Sequence, residues 1–295
     1  MSGGSTRASA YPKTLRGQRA IRNDTAMIER DASSVGFQVV PRRDQILIAT
    51  CILLICALAW AYLVHLSGPA SPIHAPPTVM AGMAMSMDVA GGVAGVLLTF
   101  TMWAVMMVGM MGPSAGPILL VFATSQARRG AGGVPTLTLL FGAGYLTIWM
   151  AFSVGATLVH WVLHQAMLLS PTMAVASRGV AGALFIGAGV YQLTPLKHGC
   201  LQHCQSPVGF LMSHWREGPR GAFQMGLRHG VYCLGCCWAL MALLFAVGVM
   251  NLMAVALLTV FILAERAGRG GTIVARVGGV AMIGVGVFFV TAGLR

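Results

Sequence analysis

Long apolar segments are the feature of this sequence that most restricts its fold. Each is close to the roughly 20 residues that a helix needs to cross the hydrocarbon core of a bilayer. Hydrophobic residues make up 57% of the chain and charged residues only 9%, which is not the composition of a soluble protein. We therefore predict an all-α protein, a polytopic transmembrane helix bundle of about seven spans. The segments are Gln45 to Leu66, Val89 to Gln126, Pro135 to His164, Arg178 to Thr194, Phe223 to Val247, Met250 to Arg266 and Thr272 to Leu294.

The second segment is long and contains Gly112, Pro113, Gly116 and Pro117. Proline removes a helical hydrogen bond and crowds the preceding turn, so we expect a kink or a break at this point. A break would leave an even number of spans possible.

The first 44 residues are polar and carry eight Lys or Arg without a small-residue cleavage site, which predicts a disordered cytoplasmic arm and not a signal peptide. Residues 45–295 then form the transmembrane domain. The net charge of +12 does not indicate nucleic-acid binding, because no basic helix alternates with aromatic residues.

Basic residues near the ends of the spans favour an orientation with the N-terminus inside. With seven spans, Arg128, Lys197, Arg216 and Arg266 all fall on the cytoplasmic side, as the positive-inside rule requires, and only Arg178 mildly disagrees. We expect the inner membrane of a bacterium. Glycines in the fourth and seventh segments permit close helix packing, although their similar I-G-x-G patterns could also mark an inverted repeat.

Histidine and cysteine gather at the predicted cytoplasmic end. Residues three and four apart share a helix face, so those at the start of the fifth segment form a stripe onto which the preceding loop can fold. Thiolate and imidazole together suit copper, zinc or iron, and a reducing cytoplasm disfavours a disulfide. Cys51 and Cys56 are interpreted as small hydrophobic residues. The candidate ligands are His198, Cys200, His203, Cys204, His229, Cys233, Cys236 and Cys237, with His214 nearby.

Methionines form a second group, at and below the predicted external face. Uncharged thioethers prefer soft ions, so spaced methionines in an oxidising compartment favour Cu(I). The same methionines could instead be packing residues in helices. The external candidates are His74, Met80, Met83, Met85 and Met87, and those in the second segment are Met102, Met106 and Met110.

Missing motifs exclude several activities. After Asp88 the only acidic residues are Glu217 and Glu265, which leaves no carboxylate pair for a di-iron site or for acid and base catalysis. Neither a P-loop nor an H-E-x-x-H motif occurs, so ATP-driven pumping by this chain alone and metalloprotease activity are not expected. No catalytic residue is predicted.

Three motifs in order resemble a bacterial family described as predicted metal-binding integral membrane proteins of uncharacterised function. They are M-W-A-V-M-M-V-G-M-M-G-P-S at 102–114, Y-Q-L-T-P-L-K-H-G-C-L-Q-H-C at 191–204 and R-H-G-V-Y-C-L-G-C-C-W at 228–238. The resemblance covers roughly Val89 to Ala267. It implies that the eight His and Cys candidates named above stand at the family's metal positions. It supplies no reaction, and the choice of copper rests on ligand chemistry.

These observations lead to one preferred hypothesis and two alternatives. The preferred function is the binding of a soft transition metal, copper before zinc or iron, for transport, delivery or handling across the membrane. Its partners would be the lipid bilayer and a metallochaperone or metalloenzyme, with no nucleic acid. The alternatives are a redox protein that uses Cys233 and Cys236 as a dithiol or a metal for electron transfer, and a structural subunit of a larger membrane complex.

Overall fold

A computed structural model of the chain describes residues 42–67, 93–130, 132–166, 177–249, 251–267 and 270–293. Residues 1–41 of the basic arm, and the external candidates His74, Met80, Met83, Met85 and Met87, lie outside these ranges. The described residues form nine helices and no strand, so the all-α prediction is confirmed. The helices are α1 (Arg42–Ser67), α2 (Val93–Arg128), α3 (Val134–Gln165), α4 (Arg178–Leu193), α5 (Pro195–Gln205), α6 (Pro207–His214), α7 (Gly218–Val247), α8 (Leu252–Arg266) and α9 (Gly271–Gly293).

Five of these helices, α1, α2, α3, α7 and α9, are long and apolar enough to cross a membrane. Helices α4 and α5 together would provide a sixth crossing, although their axes bend by 66° at the break between them. Helix α8 has 15 residues and is short for a crossing. Each predicted segment does coincide with a helix, but the count of seven spans remains a prediction.

Helix α2 runs without interruption from Val93 to Arg128 and contains both Pro113 and Pro117. Its 36 residues correspond to about 54 Å at 1.5 Å per residue. The break allowed by the sequence is therefore absent, because the helix continues on both sides of each proline. Neighbouring helices can compensate a proline's lost hydrogen bond, which is why prolines are tolerated inside apolar helices.

Helix α7 is the centre of the described bundle. It packs against α3, α4 and α5, and makes smaller contacts with α6 and α8. More than half of its apolar 18-residue stretch is buried inside the bundle, against 17% of the corresponding stretches of α1 and α9. Side chains on α7 are therefore shielded by protein on most sides, which is the setting that a buried ligand site requires.

The outer surface of the bundle is apolar as well. Leu53 on α1, Leu139 on α3 and Phe288 on α9 are each more than 60% exposed. A helix that is apolar on all sides belongs in a protein core or in lipid, and a large exposed apolar surface marks contact with another apolar phase. The surface of the described bundle is consistent with a place in a membrane.

Glycines bring α4 and α9 together in antiparallel orientation. A Cβ atom added at Gly189 would lie 2.6 Å from the carbonyl oxygen of Gly279 and 2.9 Å from the amide nitrogen of Ile283. One added at Gly182 would lie 2.8 Å from the carbonyl oxygen of Gly286. Backbone therefore meets backbone along this pair, which is the packing use of small residues in apolar helices.

We predict that Gly189→Ala destabilises the protein, because the new methyl group collides with backbone atoms of α9 that cannot turn aside. Gly187→Ala is the matched control, since a Cβ there meets nothing within 4 Å. Alanine is favoured over glycine in helices by up to about 1 kcal/mol, so the control should be neutral or slightly stabilising. Thermal unfolding in detergent would measure both. Equal midpoints for the two variants would contradict the close packing.

Candidate metal centre

A stripe of buried side chains on α7 forms the floor of the candidate site. His229, Cys233, Cys236 and Cys237 are each at most 2% exposed. Their spacing of three and four residues places them on one side of the helix, as predicted. The thiols of Cys236 and Cys237 donate to the carbonyl oxygen of Cys233, at 3.1 and 2.8 Å. The stripe therefore faces the bundle interior and not the surrounding apolar phase.

Helix α5 covers the stripe, where a loop was predicted. The side chain of Thr194 caps the helix by accepting from the amide of Lys197, and Pro195 occupies the first turn. Both residues are typical of helix starts, so the sequence did indicate a short helix at this point. The second short helix, α6, begins in the same way at Ser206 and Pro207.

Two cysteines of α5 reach α7. The sulfur of Cys204 lies 3.9 Å from the sulfur of Cys236. The sulfur of Cys200 rests over Gly235, where an added Cβ would come within 2.8 Å of it. Gly235 thus gives α5 room to approach. The structure brings together four sulfurs, those of Cys204, Cys233, Cys236 and Cys237, which we call the thiol cluster.

Arg266, the last residue of α8, extends into the thiol cluster. Its Nη2 atom lies 3.0 Å from the sulfur of Cys233, 3.5 Å from that of Cys236 and 3.9 Å from that of Cys237. The sequence suggested a basic residue at a membrane edge, but the side chain turns inward. Among the described residues no three His, Cys, Asp or Glu side chains are arranged to hold a metal ion as they stand. One guanidinium nitrogen instead contacts three of the four sulfurs.

A buried ion pair holds α8 in this position. The Nζ atom of Lys197 lies 2.8 Å from each carboxylate oxygen of Glu265, and both side chains are at most 2% exposed. Gln192 on α4 donates to the same carboxylate at 2.7 Å, and Gln205 donates to the backbone carbonyl of Glu265 at 2.7 Å. Lys197 was expected at the cytoplasmic surface. It is instead fully buried, because Glu265 compensates its charge.

Tyr145 on α3 connects the thiol cluster to α2. Its hydroxyl lies 3.1 Å from the sulfur of Cys233 and donates to the carbonyl oxygen of Met111 at 3.2 Å. Ser114 lies 3.3 Å from the same hydroxyl. A single phenol therefore joins the cysteine stripe to the methionine-bearing helix.

The histidines are less convergent than predicted. His229 is stacked against Tyr145, with ring centroids 5.8 Å apart, and its Nδ1 atom is buried without a hydrogen-bond partner. His198 donates to the carbonyl oxygen of Thr194 through Nδ1, and its buried Nε2 has no partner. His203 stacks on Tyr232 at 4.1 Å and lies 6.0 Å from His214. Aromatic contacts hold His203 and His229 and a hydrogen bond holds His198, so these histidines do not join the thiol cluster.

The methionines of α2 are buried in the same core as the cysteines of α7. Met102, Met106 and Met110 are 5%, 1% and 0% exposed, and Met107 and Met111 are buried beside them. This burial agrees with a ligand role and equally with packing, so the ligand role remains a prediction.

Met241 was missed by the sequence analysis. It is fully buried and follows Cys237 by four residues on α7, which continues the stripe by one turn. That spacing was the signal that could have identified it.

Comparison with known proteins gives one match. A family model described as PpoB2, copper chaperone, matches residues 100–289, which is more than half of the chain. The matched region contains the thiol cluster, Arg266 and the methionines of α2. No curated protein and no solved structure matches the chain.

We predict that Lys197→Met strongly destabilises the protein, because it leaves the carboxylate of Glu265 buried without its cation. Removing one partner of a buried pair costs roughly 3–5 kcal/mol. Adding Glu265→Gln to the same chain should recover much of the loss. Thermal unfolding of the single and double variants in detergent gives the comparison. A double variant no better than Lys197→Met would show that the pair does not act as a unit.

Proposed function

Because this chain belongs to the PpoB2 copper-chaperone family, we propose that it binds Cu(I) at the thiol cluster and passes it on within a membrane. The observation that carries the proposal is the 3.9 Å separation of the sulfurs of Cys204 and Cys236, which come from different helices. Two sulfurs bound tetrahedrally to one ion at about 2.3 Å would lie about 3.8 Å apart. The two side chains therefore fit a shared soft ion without a large movement of either helix.

Ligand chemistry and family membership both favour copper over zinc and iron. Thiolate sulfur suits Cu(I), Zn(II) and iron alike, whereas the uncharged thioethers of the α2 methionines favour a soft monovalent ion. The cluster has four sulfurs within the region matched by the copper-chaperone family. Zinc and iron have no support from the family.

We propose that the methionines of α2 form the route by which copper reaches the thiol cluster. Met102, Met106 and Met110 recur at one helical spacing, and the backbone carbonyl of Met111 is joined to Cys233 through the hydroxyl of Tyr145. Met241 supplies a further thioether above Cys237. Several neutral sulfur ligands in series would bind copper weakly enough to exchange it, which suits transfer better than one tight site. The external loop with His74, Met80, Met83, Met85 and Met87 would collect the ion.

The membrane setting proposed here is the bacterial inner membrane, with the start of α7 on the cytoplasmic side and the thiol cluster near the middle of that helix. Arg128 ends α2, Arg129 follows it, and Arg216 and Arg220 lie near the start of α7. An ion pair between Arg129 and Glu217 places these two helix ends together. Basic residues of this kind mark the cytoplasmic side. Copper would then pass to a metallochaperone or a metalloenzyme. The basic N-terminal arm would lie on the same side.

The copper site can be tested with purified full-length protein in detergent. We predict that Cys204→Ser combined with Cys236→Ser lowers Cu(I) affinity by more than about 100-fold, because serine is a poor ligand for a soft ion. Loss of a residue that only supports a ligand costs about 10–100-fold, so loss of two direct ligands should cost more. A competition titration against a chromophoric Cu(I) chelator measures the affinity. Cys51→Ser combined with Cys56→Ser removes the same number of thiols from α1 and should leave it unchanged.

Unchanged copper affinity in the Cys204 and Cys236 double variant would reject the site. Counting free thiols before and after chelation also separates the redox alternative. Bound copper protects thiols until a chelator removes it, whereas a dithiol couple changes its thiol count only with an oxidant or a reductant. A chain that binds no copper at all would leave the structural-subunit alternative.

The methionine route gives a separate prediction. Met106→Leu combined with Met110→Leu should slow copper loading of the thiol cluster while leaving final occupancy and stability nearly unchanged, because leucine keeps the volume and removes the sulfur. Stopped-flow measurement of copper uptake into reconstituted protein gives the rate. Met212→Leu combined with Met253→Leu is the control, since both side chains are exposed. Equal loading rates in the two double variants would identify the α2 methionines as packing residues.

A further inference from the structure

Arg266 is a basic side chain whose buried positive charge has no evident partner. Two of its guanidinium nitrogens, Nε and Nη1, are buried and have no hydrogen-bond partner, and the third, Nη2, contacts only cysteine sulfurs. Of the carboxylates whose side chains the structure describes, Glu265 is paired with Lys197 and Glu217 is an exposed partner of Arg129. Within that part of the chain, Arg266 therefore has no carboxylate to balance its charge.

A buried guanidinium requires a negative charge close by, because it keeps its proton under all ordinary conditions. The cysteine sulfurs that Nη2 contacts are groups that can carry such a charge. Two cysteines that bind a monovalent ion as thiolates form a complex with a net charge of −1. Together with the guanidinium the total charge is zero. The same two thiolates around a divalent ion are already neutral, and the guanidinium would then leave a buried charge of +1.

We propose that Arg266 sets the specificity of the thiol cluster for a monovalent soft ion over a divalent one. This inference rests on the proposed copper site at Cys204 and Cys236, and it assigns to Arg266 the role of a fixed counter-cation. The geometry allows it, since Nη2 lies 3.5 Å from the sulfur of Cys236 and 3.0 Å from that of Cys233. Charge, and not only ligand softness, then distinguishes Cu(I) from Zn(II).

The position of Arg266 is built into the fold by the residue before it. Glu265 is held by Lys197 and Gln192, and its backbone carbonyl by Gln205. These contacts fix the end of α8 against α5, the helix that carries Cys204. The same ion pair thus anchors both Arg266 and the helix that carries the proposed copper ligand Cys204.

The test compares Cu(I) and Zn(II) affinities of the full-length protein with those of three variants. Arg266→Gln removes the charge, Arg266→Lys keeps it, and Arg216→Gln is the control at an exposed arginine near the start of α7. Competition titrations with one chromophoric chelator for each ion give both constants. We expect Arg266→Gln to lower the ratio of Cu(I) to Zn(II) affinity by at least about tenfold, the lower end of what a close buried charge pair contributes. Arg266→Lys and Arg216→Gln should keep the ratio near that of the parent.

An unchanged ratio in folded Arg266→Gln, or the same loss in Arg266→Lys, would overturn the inference. If Arg266→Gln does not fold, Arg266→Met replaces it, because methionine fills a similar volume without a buried amide. Failure of the copper site itself is recognised separately. In that case the parent binds no Cu(I), or the Cys204 and Cys236 double variant binds it as well as the parent.

Discussion

The buried ion pair between Lys197 and Glu265 is the constraint on which the geometry of the cysteines depends. In an apolar interior two opposite charges must stay together, because separating them leaves each one desolvated and unpaired. Their 2.8 Å contacts therefore fix the start of α5 against the end of α8. Cys204 lies on the first of these helices and Arg266 follows Glu265 on the second. A polar contact that stabilises little by itself can still determine which side chains face α7.

The helices were predictable, because an apolar segment of about 20 residues has few alternatives to a membrane-length helix. The path of α2 through Pro113 and Pro117 was not, since the sequence does not show which neighbours support a helix at a proline. Helices α5 and α6 were mistaken for a loop because their composition is mixed and each is short. Their Thr-Pro and Ser-Pro starts were nevertheless a readable sign of helix caps.

The cysteine stripe on α7 was predictable from its spacing, whereas its surroundings were not. Helical periodicity relates Cys233 to Cys237 but says nothing about which side chain from another helix meets them. Histidines close to these cysteines in sequence pack against aromatic side chains, as His203 does against Tyr232. Tyr145 and Arg266, from helices far away in the chain, reach Cys233 instead. Contacts between distant segments decide the site, and a single sequence carries no direct signal of them.

The proposed route and the proposed counter-cation answer different physical requirements. Thioethers such as Met106 are neutral, so an ion bound to them keeps its full charge in an apolar interior and is held weakly. Thiolates cancel that charge, which would make the thiol cluster the most stable position along the path. If the thiolates acted alone, a divalent ion would gain more from them than a monovalent one. A guanidinium fixed beside Cys233 opposes this preference, because it repels the additional charge of the divalent ion. A site made of strong sulfur ligands can in this way remain selective for an ion of low charge.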